Sequence, residues 1–327
     1  PTELLAQQHF RSIERYLDGS RVRCALLVGG LPAVRRRELV AQIEQGKLDL
    51  VVGTHALIQE DVHFAKLGLV IVDEQHRFGV RQRASIRSKA DAPHYLVMTA
   101  TPIPRTLAMT VFGDLDVTTI DAPPPGRAPT QTRIAAPHQH DAAWQFVRDR
   151  LDRGEQAFVV YPIIDESDKL ELRAATTEFE RLSKQVFAKH QVALLHGRLR
   201  PQDRDKVMTD FAAGKIAVLI ATTVVEVGID VPNATCMAIE HAERYGLSQL
   251  HQLRGRIGRG GKPGFCLLLT SSEAGADNER LGVLVTSTDG FHIAEEDLRL
   301  RGPGELIGTR QHGLPELRAA SLLGDHD

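Results

Sequence analysis

The sequence predicts an α/β protein of two doubly wound, parallel-sheet domains, the first truncated at its N-terminus, with a helical hairpin and tail at the C-terminus. Three observations carry this expectation. Short β-rich runs alternate with amphipathic helical stretches along most of the chain. Those runs are continuously apolar rather than alternating, which implies burial on both faces and hence a mostly parallel sheet. Midway, residues 122–130 (APPPGRAPT) hold four prolines in nine positions. Neither helix nor strand accommodates that density, so this stretch is the linker, and the pattern restarts beyond it.

Taken in order, the chain opens at Pro1 on helix-like sequence with no strand before it, which predicts a missing upstream segment. Strands are expected at 22–28, 48–53, 67–72 and 95–99, with helices at 33–45, 80–88 and 103–112. After the linker, strands are expected at 156–164, 191–195, 217–221, 236–239 and 265–269. Helices fit at 139–153, 171–189, 201–213 and 247–256. Past residue 269 the strands stop, and residues 290–323 read as helix or loop.

Composition removes several classes of function. The 327 residues are 42% hydrophobic and 25% charged, an ordinary globular balance. Forty basic against 42 acidic residues leave a net charge of −2, so no bulk basic character marks a nucleic-acid binder. Cys24, Cys236 and Cys266 are far apart, and no Cys-x-x-Cys or Cys/His finger occurs. Neither a disulfide framework nor a structural zinc site is indicated, and the two later cysteines fall in core strands as inert small hydrophobes. No apolar run approaches a membrane span, and no signal segment opens the chain. These features predict an intracellular protein that engages no membrane.

Three segments carry chemistry. Residues 69–76 (LVIVDEQH) run an apolar strand into two adjacent carboxylates, Asp73 and Glu74. The C-terminal end of such a strand is where α/β sheets place ligands. Paired carboxylates there can hold Mg²⁺ and position an attacking water on a nucleotide. Gln75 and His76 follow as neutral, switchable contacts. Residues 98–106 (MTATPIPRT) place Thr99 and Thr101 just past another strand, where Thr101 can also cap a helix opened by Pro102. Residues 252–260 (QLRGRIGRG) hold three arginines in six positions interleaved with glycine, a pattern read here as excluded from the core. Its glycines suggest close approach to a ligand phosphate or backbone. Arginines of this kind can act as fingers on transferring phosphoryl groups.

These residues resemble motifs II (Asp73–His76), III (Thr99–Thr101) and VI (Gln252 to Arg259) of the superfamily 2 helicases. Residues 1–9 (PTELLAQQH) resemble motif Ia, 53–57 (GTHAL) motif Ib, 195–198 (LHGR) a segment after motif IV, and 222–232 (TTVVEVGIDVP) motif V. Seven stations in register are far more specific than any one of them. Within that superfamily, residues 73–80 (DEQHRFGV), 101–107 (TPIPRTL), 242–247 (AERYGL) and 250–260 are similar to the RecG family of bacterial branched-DNA helicases. The tail, from residues 289–291 through 300–305 to 309–313, is similar to that family's translocation hairpin. The related Mfd translocases share the hairpin but usually carry Glu at the position of Gln75.

The resemblance implies two RecA-like domains: 1–121 with motifs Ia, Ib, II and III, and 131–270 with motifs IV to VI. Residues 122–130 link them, and 271–327 form the hairpin and tail. It implies ATP and Mg²⁺ as cofactors, with Asp73 holding Mg²⁺ through water and Glu74 orienting or deprotonating the attacking water. Gln75 and His76 would couple that site to Thr99 and Thr101. Arg256 and Arg259 would reach the γ-phosphate, aligned by Gln252, with Gly228 and Asp230 near the nucleotide. Thr2, Thr54 and Thr222 would contact the DNA backbone, which carries no sequence information. Arg301 and Gln311 would link hydrolysis to movement along duplex DNA. Implied partners are branched and double-stranded DNA and a single-stranded DNA-binding protein; the implied state is a monomer in the bacterial cytoplasm, associated with the nucleoid. One motif is absent: no Gly-x4-Gly-Lys-Ser/Thr occurs anywhere. In the family that phosphate loop lies just upstream of motif Ia, as does the N-terminal wedge domain, so both would precede Pro1. The alternatives are an Mfd-like double-stranded DNA translocase and a DNA-binding module that no longer hydrolyses nucleotide.

Overall fold

The computed structural model describes residues 3–74, 89, 93–100, 116–120, 122, 126–162, 176–222 and 231–301. The chain divides into two compact units, the first ending at Ala100. All described strand pairs are parallel.

The first unit begins with helix α1 (Glu3–Tyr16), followed by β1 (Cys24–Leu27), α2 (Ala33–Glu44) and β2 (Leu50–Gly53). Strands β1 and β2 pair from Cys24↔Leu50 to Leu27↔Gly53. Their core is Ala25, Leu27, Leu39, Ile43, Ala56 and Val62. Gly53 is set by close approach: a Cβ there would collide with the Leu27 carbonyl oxygen and lie 2.8 Å from Leu57 Cγ. Strands β3 (Leu69–Asp73) and β4 (His94–Met98) form a second parallel pair. Continuous apolarity predicted burial on both faces, but Leu69, Ile71, Leu96 and Met98 are exposed on one face of this pair. The expected helices at 80–88 and 103–112 lie outside the described residues.

The second unit holds a six-stranded sheet in the order β5-β10-β9-β6-β8-β7. Its strands are β5 (Thr130–Ala135), β6 (Gln156–Val160), β7 (Val192–Leu195), β8 (Val218–Ala221), β9 (Ala234–Ile239) and β10 (Gly264–Leu269). Here the burial inference holds, because every residue of β6, β8 and β9 is buried. Helix α3 (His140–Leu151) packs the stripe Ala143, Trp144, Val147 and Leu151 against the sheet. Trp144 meets Phe187 edge-on at 5.8 Å, a packing role rather than a base-stacking one. Cys236 and Cys266 are buried, and burial pushes both thiols up to about 12, so they are inert.

Two expectations change here. The stretch expected as one helix over 171–189 is helical at 176–181, passes through a π-turn at Leu182–Val186, and buries Leu182 and Phe187 completely. Strand β5 was not anticipated, because TQTRIA follows the prolines and reads as polar; it is an edge strand beside β10 and exposes alternate residues. The remaining helices are α4 (Pro201–Ala212), α5 (Leu247–Arg254), α6 (Glu273–Ala276), α7 (Glu279–Thr286) and α8 (Gly290–Arg301). None of the described helices is long and apolar enough to cross a membrane.

Candidate functional site

In the first unit, β3 carries Asp73 to its C-terminal end, and Asp73 Oδ2 lies 3.1 Å from Nε2 of His9 on α1. That hydrogen bond holds the Asp73 carboxyl below its usual range, against the opposing effect of partial burial. Glu74 follows in the left-handed region at φ 54°. For a side chain with a Cβ this costs about 1–2 kcal/mol, and such strain clusters at functional positions. Glu74 is half-buried, with its Oε2 out of contact with solvent. The strand thus ends in a sharp backbone turn that separates the two carboxylates, one facing α1. The sequence assigned no role to His9; 64 residues separate it from Asp73, and no local pattern announces the pairing.

Two hard oxygen donors of this kind suit a hydrated Mg²⁺, which takes one or two carboxylates and leaves the rest of its shell to water and phosphate. Among the described residues no group of three or more His, Cys, Asp or Glu could cage an ion. Thr54 ends β2 and accepts from the Ala56 N–H at 3.5 Å, capping the short turn His55–Ile58. Thr99 follows β4 and is exposed. Thr2, Gln75, His76 and Thr101 lie outside the described residues.

In the second unit, α5 leads into the arginine segment. Gln252 and Arg256 are half-buried and Arg259 is exposed. Arg254 corrects the expectation that all three arginines are excluded from the core: it is 4% exposed. Its Nη1 donates to Leu284 O at 2.8 Å, Ser287 O at 2.9 Å and Thr132 Oγ1 at 3.3 Å. Its Nη2 lies 3.0 Å from His251 Nδ1. Burial, then the nearby Arg254 and Arg127, push His251 down to about 4, so a neutral ring can accept that bond. The glycines are corrected too, since their close approaches are to protein. Gly258 sits at φ 71°, and a Cβ there would lie 3.2 Å from Gly264 N; one at Gly260 would strike the Pro232 carbonyl. Thr222 is buried, its N–H donating to Leu195 O at 3.3 Å. Arg301 is the last residue of α8. Gly228, Asp230 and Gln311 lie outside the described residues.

A further cluster escaped the sequence. At the C-terminal ends of β6 and β9, Tyr161 Oη donates to Glu178 Oε2 at 3.2 Å, and Arg181 Nε donates to the same oxygen at 2.9 Å. Glu240, directly after β9, is 7% exposed. Burial first, and then the neighbouring Glu178, raise its carboxyl from 4.5 to about 7. An acid directly after an all-apolar strand is the same signal that marked Asp73. The folded state therefore holds this proton more tightly than the unfolded chain. The associated stability is complete below about pH 4.5 and is lost as pH rises through about 7. Glu240→Gln should thus gain on the parent at pH 8 relative to pH 5, measured by thermal unfolding at both. An equal shift at the two values would refute the buried-acid reading.

With the geometry in place, comparison with known proteins decides the family. Residues 1–110 match the DEAD/DEAH box helicase profile, and residues 141–261 match the helicase conserved C-terminal domain. Residues 287–325 match the profile for ATP-dependent DNA helicase RecG, domain 3, C-terminal. The ATP-dependent DNA helicase RecG of Synechocystis is 50% identical over 100% of this chain and 39% of its own length. The chain belongs to the RecG family. The RecG chain in a structure titled as bound to a three-way DNA junction is 46% identical, with a TM-score of 0.77 over 94% of this chain and 40% of that one. Yeast Dbp5 bound to RNA and ADP BeF3, at 16% identity and TM-score 0.64 over 92% of this chain and 79% of its own, shares the fold alone. RecG membership bears out the superfamily 2 reading and the RecA-like α/β class. The chain spans between 39% and 48% of the length of the curated RecG relatives it matches.

Proposed function

We propose that this chain is the motor portion of an ATP-dependent DNA helicase that remodels branched DNA, stalled forks and Holliday junctions, in repair and recombination. The observation that carries this reading is the Asp73-Glu74 pair at the end of β3, with Glu74 turned by a left-handed backbone. Asp73 would hold Mg²⁺ through water, and Glu74 would orient or deprotonate the attacking water. When bound, the ion would neutralise charge developing on the phosphates. Arg256 and Arg259 would stabilise the γ-phosphoryl, with Gln252 aligning them. Gln75 and His76 would relay the state of the nucleotide to Thr99 and Thr101, while Gly228 and Asp230 would line its ribose side. Thr2, Thr54 and Thr222 are proposed to contact DNA phosphates, Thr222 through its backbone because its side chain is buried. A relative of known structure is described as bound to a three-way junction, which supports branched DNA as the substrate. The RecG domain 3 match over 287–325 favours this reading over the Mfd-like one.

The 327 residues contain no phosphate-cradling Gly-x4-Gly-Lys-Ser/Thr loop. Residues 1–327 alone are therefore expected to hydrolyse ATP negligibly, whereas the full-length polypeptide should show ATPase stimulated by forked DNA. Robust DNA-dependent turnover by 1–327 would sink this account of the phosphate site. In the full-length protein, Arg301→Ala or Gln311→Ala should spare much of the ATPase and junction affinity while abolishing fork unwinding. Parallel loss of all three would indicate a structural role, and loss of none would remove coupling from the tail.

A further inference from the structure

The proline-rich segment contributes more than a spacer. Arg127, three residues before β5, donates from Nη2 to the carbonyl oxygen of Gly255 at 2.9 Å, across 128 positions of sequence. Arg259 donates from Nε to that same oxygen at 3.1 Å. Gly255 is the C-cap of α5, so this carbonyl stands at the negative end of the helix, where orphan acceptors attract cations. A carbonyl has two lone pairs and takes two donors. The surroundings are rigid: the Gly264 N–H donates to Pro129 O at 3.2 Å, and the Gly258 N–H donates to Ala234 O at 3.2 Å. Both ends of residues 255–264 are therefore tied to backbone of the same unit, and Arg127 enters that frame from the linker side.

Two guanidiniums on one oxygen repel each other, so the arrangement is useful only if one of them has other work. Arg259 is the exposed member and is the one proposed above to engage a phosphate. When Arg259 leaves Gly255, the helix-terminal carbonyl keeps a charge-assisted partner only because Arg127 remains. We propose that Arg127 is a positioning residue for Arg259: it holds the Gly255 carbonyl, so that Arg259 can swing from that oxygen to an anionic phosphate without stranding the end of α5. The inference rests on the phosphate role given to Arg259. It adds that the segment joining the two units in sequence is bonded directly to the arginine loop.

The test uses the full-length protein with forked DNA and ATP, comparing Arg127→Ala, Arg127→Lys, Arg259→Ala and the double variant Arg127→Ala/Arg259→Ala. Loss of one charge-assisted hydrogen bond predicts a fall in kcat of about tenfold for Arg127→Ala. KM for ATP and the melting temperature should stay near those of the parent. Arg127→Lys should recover part of the loss, since an ammonium can donate one bond to the carbonyl. Because Arg127 acts through Arg259, the double variant should turn over no more slowly than Arg259→Ala alone. Additive losses would overturn the proposal, as would a fall in melting temperature that accounts for the lost turnover. If Arg259→Ala is impaired but Arg127→Ala is not, this inference alone fails. If Arg259→Ala itself retains full turnover, the phosphate role of Arg259 fails and the inference falls with it.

Discussion

Glu74→Gln in the full-length protein is expected to abolish DNA-stimulated ATP hydrolysis while leaving nucleotide binding largely intact. The substitution keeps size, hydrogen-bonding reach and the left-handed backbone at φ 54°, and removes only the charge and the ability to take a proton. A general base in this role is worth about 10²–10⁴-fold in rate, so turnover should fall by at least about a hundredfold. Asp73 differs in kind. Its carboxylate is already engaged by His9 at 3.1 Å, and its assigned task is to hold the metal ion. Asp73→Asn should weaken Mg²⁺-dependent nucleotide binding as well as turnover. Paired measurements of ATP affinity and single-turnover hydrolysis separate the two carboxylates. Near-parental hydrolysis by Glu74→Gln would remove Glu74 from the chemistry altogether.

Arg254→Ala is expected to be the most destabilising single change in the arginine segment. It strands the carbonyls of Leu284 and Ser287 and the Thr132 hydroxyl, all bonded to Nη1. At about 1–3 kcal/mol for each buried group left unsatisfied, the loss should reach roughly 3–5 kcal/mol. Arg254→Lys should recover little, because one compact ammonium cannot span the partners of a planar fork. The exposed Arg259, by contrast, should change stability by no more than about 0.5 kcal/mol when replaced by Ala, yet lose turnover. Denaturant midpoints and ATPase on the same preparations give the comparison. A stable Arg254→Ala that loses only hydrolysis would move Arg254 from the scaffold to the phosphate site. The consequences reach the tail, because Ser287 joins α7 to α8, and Ser248 of α5 donates to Asp297 of α8 at 3.0 Å.

The strands of the second unit were readable because unbroken apolar runs such as QAFVV and ATCMAI leave no polar residue for a solvent face, and all of them are buried. Strand β5 was not readable. An edge strand tolerates exposed Gln131 and Arg133, and its TQTRIA pattern carries no apolar run. The glycines misled for a related reason. Gly258 and Gly260 do permit close approach, but to Gly264 and Pro232 rather than to a ligand, and spacing alone does not say what approaches.

By itself the sequence determined the α/β class, the break at the prolines, the Asp73-Glu74 end of β3 and the resemblance to the RecG family. Each is written in contiguous residues, where periodicity and local turn chemistry act over a few positions. Tertiary structure alone decided which titratable groups share a site. The partners of Arg254 include Thr132, 122 positions away; Arg127 reaches Gly255 across 128; His9 reaches Asp73 across 64. A guanidinium is core or surface according to the donors and acceptors that the fold gathers around it, because burying a charge is tolerated only where its hydrogen bonds are met. That condition is set by residues brought together from far along the chain, and no local pattern encodes it.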